Sequence, residues 1–117
     1  MKVIIAGSRG IIDYNIVKEA IEESGFQITE IVSGNARGVD KLGEKYAKEN
    51  NIKIKQFIPD WSQGKSAGFV RNKVMGDYSH ALIALWDGES RGTKHMIDYA
   101  KKIGLKVFVK IISDYHF

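Results

Sequence analysis

Val3-Ile4-Ile5-Ala6-Gly7-Ser8-Arg9-Gly10, near the start of the chain, joins an apolar run to a glycine and an Arg-Gly pair. The apolar run is typical of a buried strand, and the glycine-rich part is typical of a turn that leads into a helix. An apolar run with the same kind of loop recurs twice, at Gly34-Asn35-Ala36-Arg37-Gly38 and at Gly88-Glu89-Ser90-Arg91-Gly92. The repetition predicts a series of strand–helix units joined by glycine-rich loops.

Strands and helices alternate strictly along the whole chain, as short apolar runs give way to segments with helical spacing. This alternation predicts an α/β fold, a doubly wound parallel sheet of about five strands with helices on both faces, in a single domain over residues 1–117. The predicted strands are 3–6, 28–32, 52–58, 81–86 and 105–112, and the predicted helices are 13–24, 37–50, 67–77 and 92–103. Gly25 is predicted to end the first helix. Right-handed crossovers bring all the strand-to-helix loops to one edge of the sheet, where such folds bind ligands.

Arginine is concentrated in these loops. The chain has four arginines against fourteen lysines; three arginines lie in the Arg-Gly loops, and Arg71 begins another predicted helix. The planar guanidinium binds phosphate or carboxylate bidentately. Glycine lets a ligand approach the backbone, and the N–H groups at a helix N-terminus favour negative charge. We therefore predict that arginines from distant parts of the chain meet around one pocket that binds an anion.

The candidate ligand-binding residues belong to the three loops, to the loop around Trp61 and to the start of the third helix. They are Gly7, Ser8, Arg9, Gly34, Asn35, Arg37, Gly38, Asp40, Trp61, Arg71, Asn72, Asp87, Gly88, Ser90, Arg91, Gly92 and Thr93. For Asp40, interaction with the helix dipole, hydrogen bonds to ribose hydroxyls and orientation of Arg37 all remain open. For Trp61, base stacking and packing remain open. Thr93 is a hydroxyl donor to phosphate, a helix cap, or both.

Composition excludes several kinds of site. The chain has no cysteine, which excludes disulfides and thiolate metal sites and is typical of a cytoplasmic protein. The histidines His80, His95 and His116 show no metal-ligand spacing, and His95 is placed on a helix surface; neither a metal nor a cofactor is predicted. No apolar run approaches the ~20 residues of a membrane span. The net charge of +4 permits an anionic ligand, but the lysines form no dense basic run, so we do not expect nucleic acid as a partner.

Two phosphate-binding motifs are suggested and then excluded by spacing. Gln63-Gly64-Lys65-Ser66 is similar to the end of a P-loop, but Pro59 stands where that motif needs a glycine. Ser66 is instead predicted to cap the third helix. None of the glycine loops matches G-x-G-x-x-G, so a nicotinamide-dependent oxidoreductase is not indicated.

Taken together, an ordered set of motifs resembles the YspA-like family of the SLOG superfamily. These motifs are Ala6-Gly7-Ser8-Arg9, Ser33-Gly34-Asn35-Ala36-Arg37-Gly38-Val39-Asp40, Asp60-Trp61, Gly64-Lys65-Ser66-Ala67-Gly68-Phe69-Val70-Arg71-Asn72-Lys73-Val74-Met75 and Trp86-Asp87-Gly88-Glu89-Ser90-Arg91-Gly92-Thr93. The resemblance extends over nearly the whole chain. It implies a Rossmann-like fold and a pocket for nucleotides or nucleotide-derived ligands. The superfamily includes the Lonely Guy phosphoribohydrolases and the Smf/DprA DNA-processing proteins.

One departure from the superfamily's enzymes bears on catalysis. Lonely Guy enzymes carry a catalytic glutamate three residues after the threonine of a Pro-Gly-Gly-x-Gly-Thr loop. In this chain the residue three beyond Thr93 is Met96, whose side chain cannot act as a general acid or base. Four carboxylates remain open as substitutes: Asp40, Asp77, Asp87 and Glu89. No catalytic residue is predicted, and binding without catalysis is favoured.

Three functions therefore remain open. The first is binding of a nucleotide or nucleotide-derived small molecule, for sensing or sequestration of a signal. The second is N-glycosidic hydrolysis of a nucleotide with a non-standard carboxylate. The third is binding of single-stranded DNA, which needs a basic groove with stacking aromatics, whereas four arginines form a pocket more readily than a groove. A homo-oligomer is a further expectation, because the fifth strand and the tail with Tyr115 and Phe117 offer apolar surface.

Overall fold

A parallel sheet forms the centre of the protein. The computed structural model describes residues 1–112. The strands are β1 (Lys2–Gly7), β2 (Glu30–Ser33), β3 (Lys53–Gln56), β4 (Ala81–Trp86) and β5 (Lys106–Ile111). Their order in the sheet is β3-β2-β1-β4-β5, and each neighbouring pair is parallel. The predicted parallel sheet of five strands is confirmed, with its order reversing at β1.

Two layers of helices enclose this sheet. The helices are α1 (Tyr14–Ser24), α2 (Val39–Glu49), α3 (Ala67–Tyr78) and α4 (Arg91–Lys102), and a short 3₁₀ turn covers Trp61–Gln63. Successive side chains of a strand point to opposite faces. Val3 and Ile5 of β1 accordingly pack in one core with α1 and α2, whereas Ile4 and Ala6 pack in the other with α3 and α4. The predicted doubly wound architecture is therefore confirmed.

Local signals explain where several elements begin and end. Asp13 caps α1 by accepting a hydrogen bond from the Asn15 N–H at 2.9 Å, and Gly25 ends it with a φ of 69°, as predicted. β2 joins the sheet only at Glu30, so the apolar Ile28 packs against the core from outside the strand. Ser66 occupies the N-cap position of α3, as predicted, but its side chain makes no capping hydrogen bond.

Some sequence-based expectations concern residues beyond those described. His116 and the tail residues Tyr115 and Phe117 lie outside residues 1–112, so the expected apolar tail surface stays a prediction. Within the described part of the chain, no helix is long and apolar enough to cross a membrane. Across residues 1–112, His, Asp and Glu side chains form no group of three or more that is arranged to hold a metal ion.

Candidate functional site

The loops after β1, β2 and β4 enclose a cleft of about 390 Å³ at the carboxyl edge of the sheet, which we call the main cleft. It lies beside β1, where the strand order reverses, as expected for ligand sites in this architecture. Nine of the candidate residues line it: Gly7, Arg9, Asp40, Arg71, Asn72, Asp87, Ser90, Gly92 and Thr93. Ala6, Gly10, Ala36, Met75 and Met96 complete the lining. Four separate stretches of chain, within residues 6–10, 36–40, 71–75 and 87–96, thus meet in one recess.

A second cavity of about 250 Å³ adjoins the main cleft, and we call it the arginine lobe. It is lined by Arg9, Gly34, Asn35, Ala36, Arg37, Ile58, Pro59, Trp61 and Arg71, a set that contains three arginines and no carboxylate. Arg9, Ala36 and Arg71 line both cavities, so the two spaces are neighbours. The Trp61 side chain is exposed, and its ring forms part of the wall.

Arg71 stands between the two cavities and is held from both sides. Its Nη1 donates to the Gly34 carbonyl at 2.5 Å, and its Nε donates to Asn72 Oδ1 at 3.1 Å. Burial lowers the pKa of Arg71, the Asp40 carboxylate opposes this shift, and Arg9 adds to it. Arg9 and Arg71 line the same two cavities, so two cations face one space, a placement that an anion would stabilise.

Gly34 makes this position of Arg71 possible. A Cβ at residue 34 would lie 2.6 Å from Arg71 Nη1 and 2.9 Å from Asp40 Oδ2. Gly38 has a φ of 77° and approaches the loop after β1, where a Cβ would lie 2.6 Å from the Arg9 carbonyl oxygen. These glycines permit the close approach of the protein's own groups, and the expected approach of a ligand to the backbone stays a prediction.

Asp40 lies at the floor of the main cleft and is almost fully buried. Burial raises its pKa to about 6, although hydrogen bonds from backbone N–H groups, including that of Ala36 at 3.2 Å, and the charge of Arg71 act in the opposite direction. The structure thus pairs Asp40 electrostatically with Arg71, not with Arg37 as one sequence-based interpretation had it. The carboxyl is the ionisable group of the cleft that changes charge closest to neutral pH.

The loop between β4 and α4 is organised by Asp87. Its Oδ1 accepts hydrogen bonds from the backbone N–H groups of Ser90 at 2.9 Å and Glu89 at 2.8 Å, and these bonds hold its pKa below the ordinary value. Ser90 caps α4 by accepting from the Thr93 N–H at 3.4 Å. Thr93 is therefore not the cap of this helix; it is a buried residue of the first turn that faces the cleft.

Several candidate residues do not reach either cavity. Ser8 is buried and joins two loops, because its Oγ accepts from the Asp87 N–H at 3.1 Å. Gly88 shapes the same loop with a φ of 85°. Arg91 begins α4 as an exposed residue and lines neither the main cleft nor the arginine lobe. The structure thus brings Arg9, Arg37 and Arg71 together and leaves the fourth arginine outside.

The carboxylates considered as catalytic substitutes separate into two pairs. Asp40 and Asp87 line the main cleft. Asp77 accepts a hydrogen bond from the Tyr99 hydroxyl at 2.6 Å, and Glu89 is exposed; neither lines the cleft. Met96 does line it, so the position where a glutamate was considered holds an apolar side chain at the cleft wall.

His95 is a residue that sequence reasoning placed on the surface, whereas the structure shows it half-buried behind the cleft. Its ring stacks on Phe69 with 4.4 Å between centroids, and its Nδ1 lies 3.2 Å from Asn72 Nδ2. The sequence carries no signal for this contact, because the two residues belong to different helices. The sequence indicates only that His95 lies four residues after Arg91, in the second turn of a helix predicted to begin near the site.

Comparisons with known proteins identify the family and the fold. The family model YAcAr, described as the YspA, cpYpsA-related SLOG family, matches residues 1–64, more than half of the chain. The X-ray structure of DNA processing protein A (DprA) from Streptococcus pneumoniae is similar, with a TM-score of 0.78, at 21% sequence identity. The match covers 97% of this chain and 52% of the DprA chain, so the present chain spans about half of DprA's length. At this identity the likeness shows the fold. A comparison with curated proteins gave no match.

Proposed function

Because the chain belongs to the YspA, cpYpsA-related SLOG family, we propose that its cleft binds a phosphorylated, nucleotide-derived small molecule, for sensing or for sequestration. Family membership together with the fold supports a nucleotide-related or nucleic-acid-binding role in general terms. The finer assignment depends on the chemistry of the two cavities.

The arginine lobe carries the proposal. Arg9, Arg37 and Arg71 converge on a space that no carboxylate lines, whereas the main cleft contains both Asp40 and Asp87. A phosphate is favoured where guanidinium groups surround it without competing acids. The carboxylates of the main cleft are suited to accept hydrogen bonds from sugar hydroxyls. We therefore place the phosphate in the arginine lobe and the neutral, polar part of the ligand in the main cleft.

Calorimetric titration with AMP and with adenosine tests this assignment. AMP should bind, and adenosine should bind much more weakly, since it lacks the group that the arginines recognise. Arg37→Ala and Arg9→Ala should each weaken AMP binding by about tenfold to hundredfold, the usual worth of a charge-assisted hydrogen bond. Arg91→Ala is the matched control and should leave AMP affinity near the wild-type value, because Arg91 lies outside both cavities.

The outcomes distinguish the position of the phosphate from the function itself. Equal binding of AMP and adenosine, or no binding of any phosphorylated nucleoside, would overturn the proposed function. A loss in Arg91→Ala that Arg37→Ala does not show would instead move the phosphate to the loop before α4. Mass spectrometry of small molecules that co-purify with the protein would identify the natural ligand.

Asp40 supports a second candidate function, N-glycosidic hydrolysis. It is a buried carboxyl with a pKa raised to about 6, and such a group exchanges protons readily near neutral pH. In that reaction the bond between base and ribose breaks and the base leaves with a proton from Asp40; the oxygen of a water molecule then bonds to the ribose carbon, and the proton that this water loses returns to the Asp40 carboxylate. Chromatography after incubation with nucleoside monophosphates should then show free base and ribose phosphate, and Asp40→Asn should abolish both. If the nucleotide is recovered unchanged, hydrolysis is ruled out and binding remains as the function.

DNA is a third candidate, because the similar fold of DprA is that of a DNA processing protein. This likeness does not support our expectation that nucleic acid is not a partner. Trp61 is exposed and lies beside three arginines. Proteins that bind single-stranded nucleic acid use the same combination, with the aromatic ring stacking on a base and the arginines contacting phosphates. Binding of oligothymidylate that falls steeply as salt rises, and falls further in Trp61→Ala, would favour this candidate. Absence of a gel shift at low salt would dismiss it.

A further inference from the structure

Behind the main cleft, a chain of hydrogen bonds connects His95 to the arginine that separates the two cavities. His95 Nδ1 lies 3.2 Å from Asn72 Nδ2, and Asn72 Oδ1 accepts from Arg71 Nε at 3.1 Å. The Asn72 side chain also donates from Nδ2 to the Gly92 carbonyl oxygen at 3.1 Å. Asn72 is only 4% exposed, so its side-chain amide depends on these contacts for hydrogen bonding.

The protonation state of His95 follows from these partners. The Gly92 carbonyl can only accept, which fixes the amide nitrogen of Asn72 on that side. Arg71 Nε can only donate, which fixes the amide oxygen on the other. The second N–H of Asn72 therefore points at His95 Nδ1, and that nitrogen must accept. His95 is thus a neutral imidazole with its proton on Nε2.

We propose that neutral His95 is a positioning residue for the ligand site, which holds the Asn72 amide and, through it, the Arg71 guanidinium. Protonation at Nδ1 would place two donors against each other and break this contact. The effect on Arg71 does not depend on ligand identity, whereas its effect on binding rests on the function proposed above.

The surroundings of His95 favour the neutral ring. Phe69 of α3 stacks on one side, and the Tyr99 ring of α4 lies nearly parallel with 6.5 Å between centroids. Burial lowers the pKa of His95, Lys73 of α3 lowers it further, and Asp98 of α4 acts in the opposite direction. The neutral form is therefore kept to a lower pH than for an ordinary histidine.

Two substitutions separate the acceptor from the ring. His95→Phe keeps a ring that can stack on Phe69 but removes the acceptor. His95→Asn loses the ring but places an amide oxygen where Nδ1 was, and it does not titrate. His80→Asn is the matched control, because the Nδ1 of His80 also accepts a hydrogen bond, from the Lys2 N–H at 2.9 Å, at the other edge of the sheet.

The first measurement is ligand-free ¹⁵N NMR of the Arg71 Nε–H and the Asn72 side-chain amide. In the wild type both signals should shift as pH falls through the titration of His95. In His95→Phe both should already differ at neutral pH from their wild-type positions. In His95→Asn neither should change over the pH range in which His95 titrates in the wild type. His80→Asn should behave as the wild type does. Signals of Arg71 and Asn72 that stay unchanged in His95→Phe would overturn the proposal.

The second measurement uses AMP as the probe and reads the consequence for binding. His95→Phe should weaken AMP affinity by about threefold to tenfold, the value of one buried hydrogen bond, and His95→Asn should restore most of it. Equal losses in both variants, with folding intact by circular dichroism, would assign the effect to stacking and contradict the proposal. If AMP does not bind the wild type, the proposed function fails, and the NMR result still decides the role of His95.

Discussion

Replacing Asp40 by asparagine removes a buried carboxyl whose proton affinity differs between the folded and unfolded chain. The pKa of this group is about 6 in the fold, against an ordinary value of 3.8, chiefly because burial disfavours the charged form. The folded protein thus binds the proton more tightly than the unfolded chain. The resulting stabilisation is fully present below the unfolded pKa and is lost as pH rises through the folded one.

The size of this effect follows from the two pKa values. A difference of about two units corresponds to about 3 kcal/mol when the group is fully protonated in both states. Over the accessible interval from pH 8 to pH 5, the same relation gives about 1.4 kcal/mol of stabilisation gained by protonation. Asp40→Asn is neutral at every pH, so its stability should lack this component.

Urea denaturation of wild type and Asp40→Asn at pH 5 and at pH 8 measures the component directly. As pH rises from 5 to 8 the wild type loses this stabilisation and the variant does not. The free energy of unfolding of Asp40→Asn minus that of the wild type should therefore be about 1.4 kcal/mol higher at pH 8 than at pH 5. Other titrating groups are common to both proteins and cancel in the difference. Glu19→Gln, an exposed carboxylate of α1, is the control, and its difference from the wild type should stay nearly constant. Parallel pH profiles for Asp40→Asn would refute a raised pKa for Asp40.

Three further substitutions test the site. Gly34→Ala places a Cβ 2.6 Å from Arg71 Nη1, so it should lower the melting temperature and weaken AMP binding by at least about tenfold; unchanged affinity would show that Arg71 is not held as described. Gly92→Ala meets no atom within 4 Å, and helix propensity should raise the stability of the protein by up to about 1 kcal/mol in urea denaturation. Trp61→Phe should remove the change in tryptophan fluorescence on AMP binding, because Trp61 lines the arginine lobe that receives the phosphate, whereas Trp86 lines neither cavity and donates from Nε1 to the Ser90 carbonyl; an undiminished change in the variant would place the phosphate elsewhere.

The architecture was predictable because its signals are local. β4 is apolar throughout and buried almost from end to end, which is typical of a strand covered on both faces, and the helices carry apolar residues at helical spacing. The strand order was not predictable, since it depends on which strands pair, and the local pattern does not encode pairing. The gathering of the strand-to-helix loops at one edge nonetheless followed, because parallel strands with right-handed crossovers place all these loops on one side.

The structure brings the predicted loops together at one edge of the sheet, but the loop pattern did not indicate where each side chain would lie. Arg37 and Arg91 both stand in Arg-Gly pairs, yet one lines the arginine lobe and the other is exposed outside it. Arg37 precedes the N-cap of its helix, Gly38, which has a φ of 77°, whereas Arg91 follows the N-cap Ser90 and is the first residue of α4. Asp40 likewise found its partner in Arg71, a residue too distant in sequence for any spacing rule to connect them.

The pairing of Asp40 with Arg71 also links ligand binding to proton uptake. An anion beside Arg71 adds negative charge near Asp40, which raises the pKa of that carboxyl further. Near pH 6.5 Asp40 of the free protein is partly ionised, so binding of AMP should take up a fraction of a proton. Calorimetry in buffers of different ionisation enthalpy measures this number, and Asp40→Asn should reduce it towards zero. The phosphate of AMP itself titrates near this pH, so the same experiment with adenosine 5′-sulfate, whose sulfate group does not titrate, isolates the protein's share. A proton uptake that persists in Asp40→Asn would assign the proton to another group.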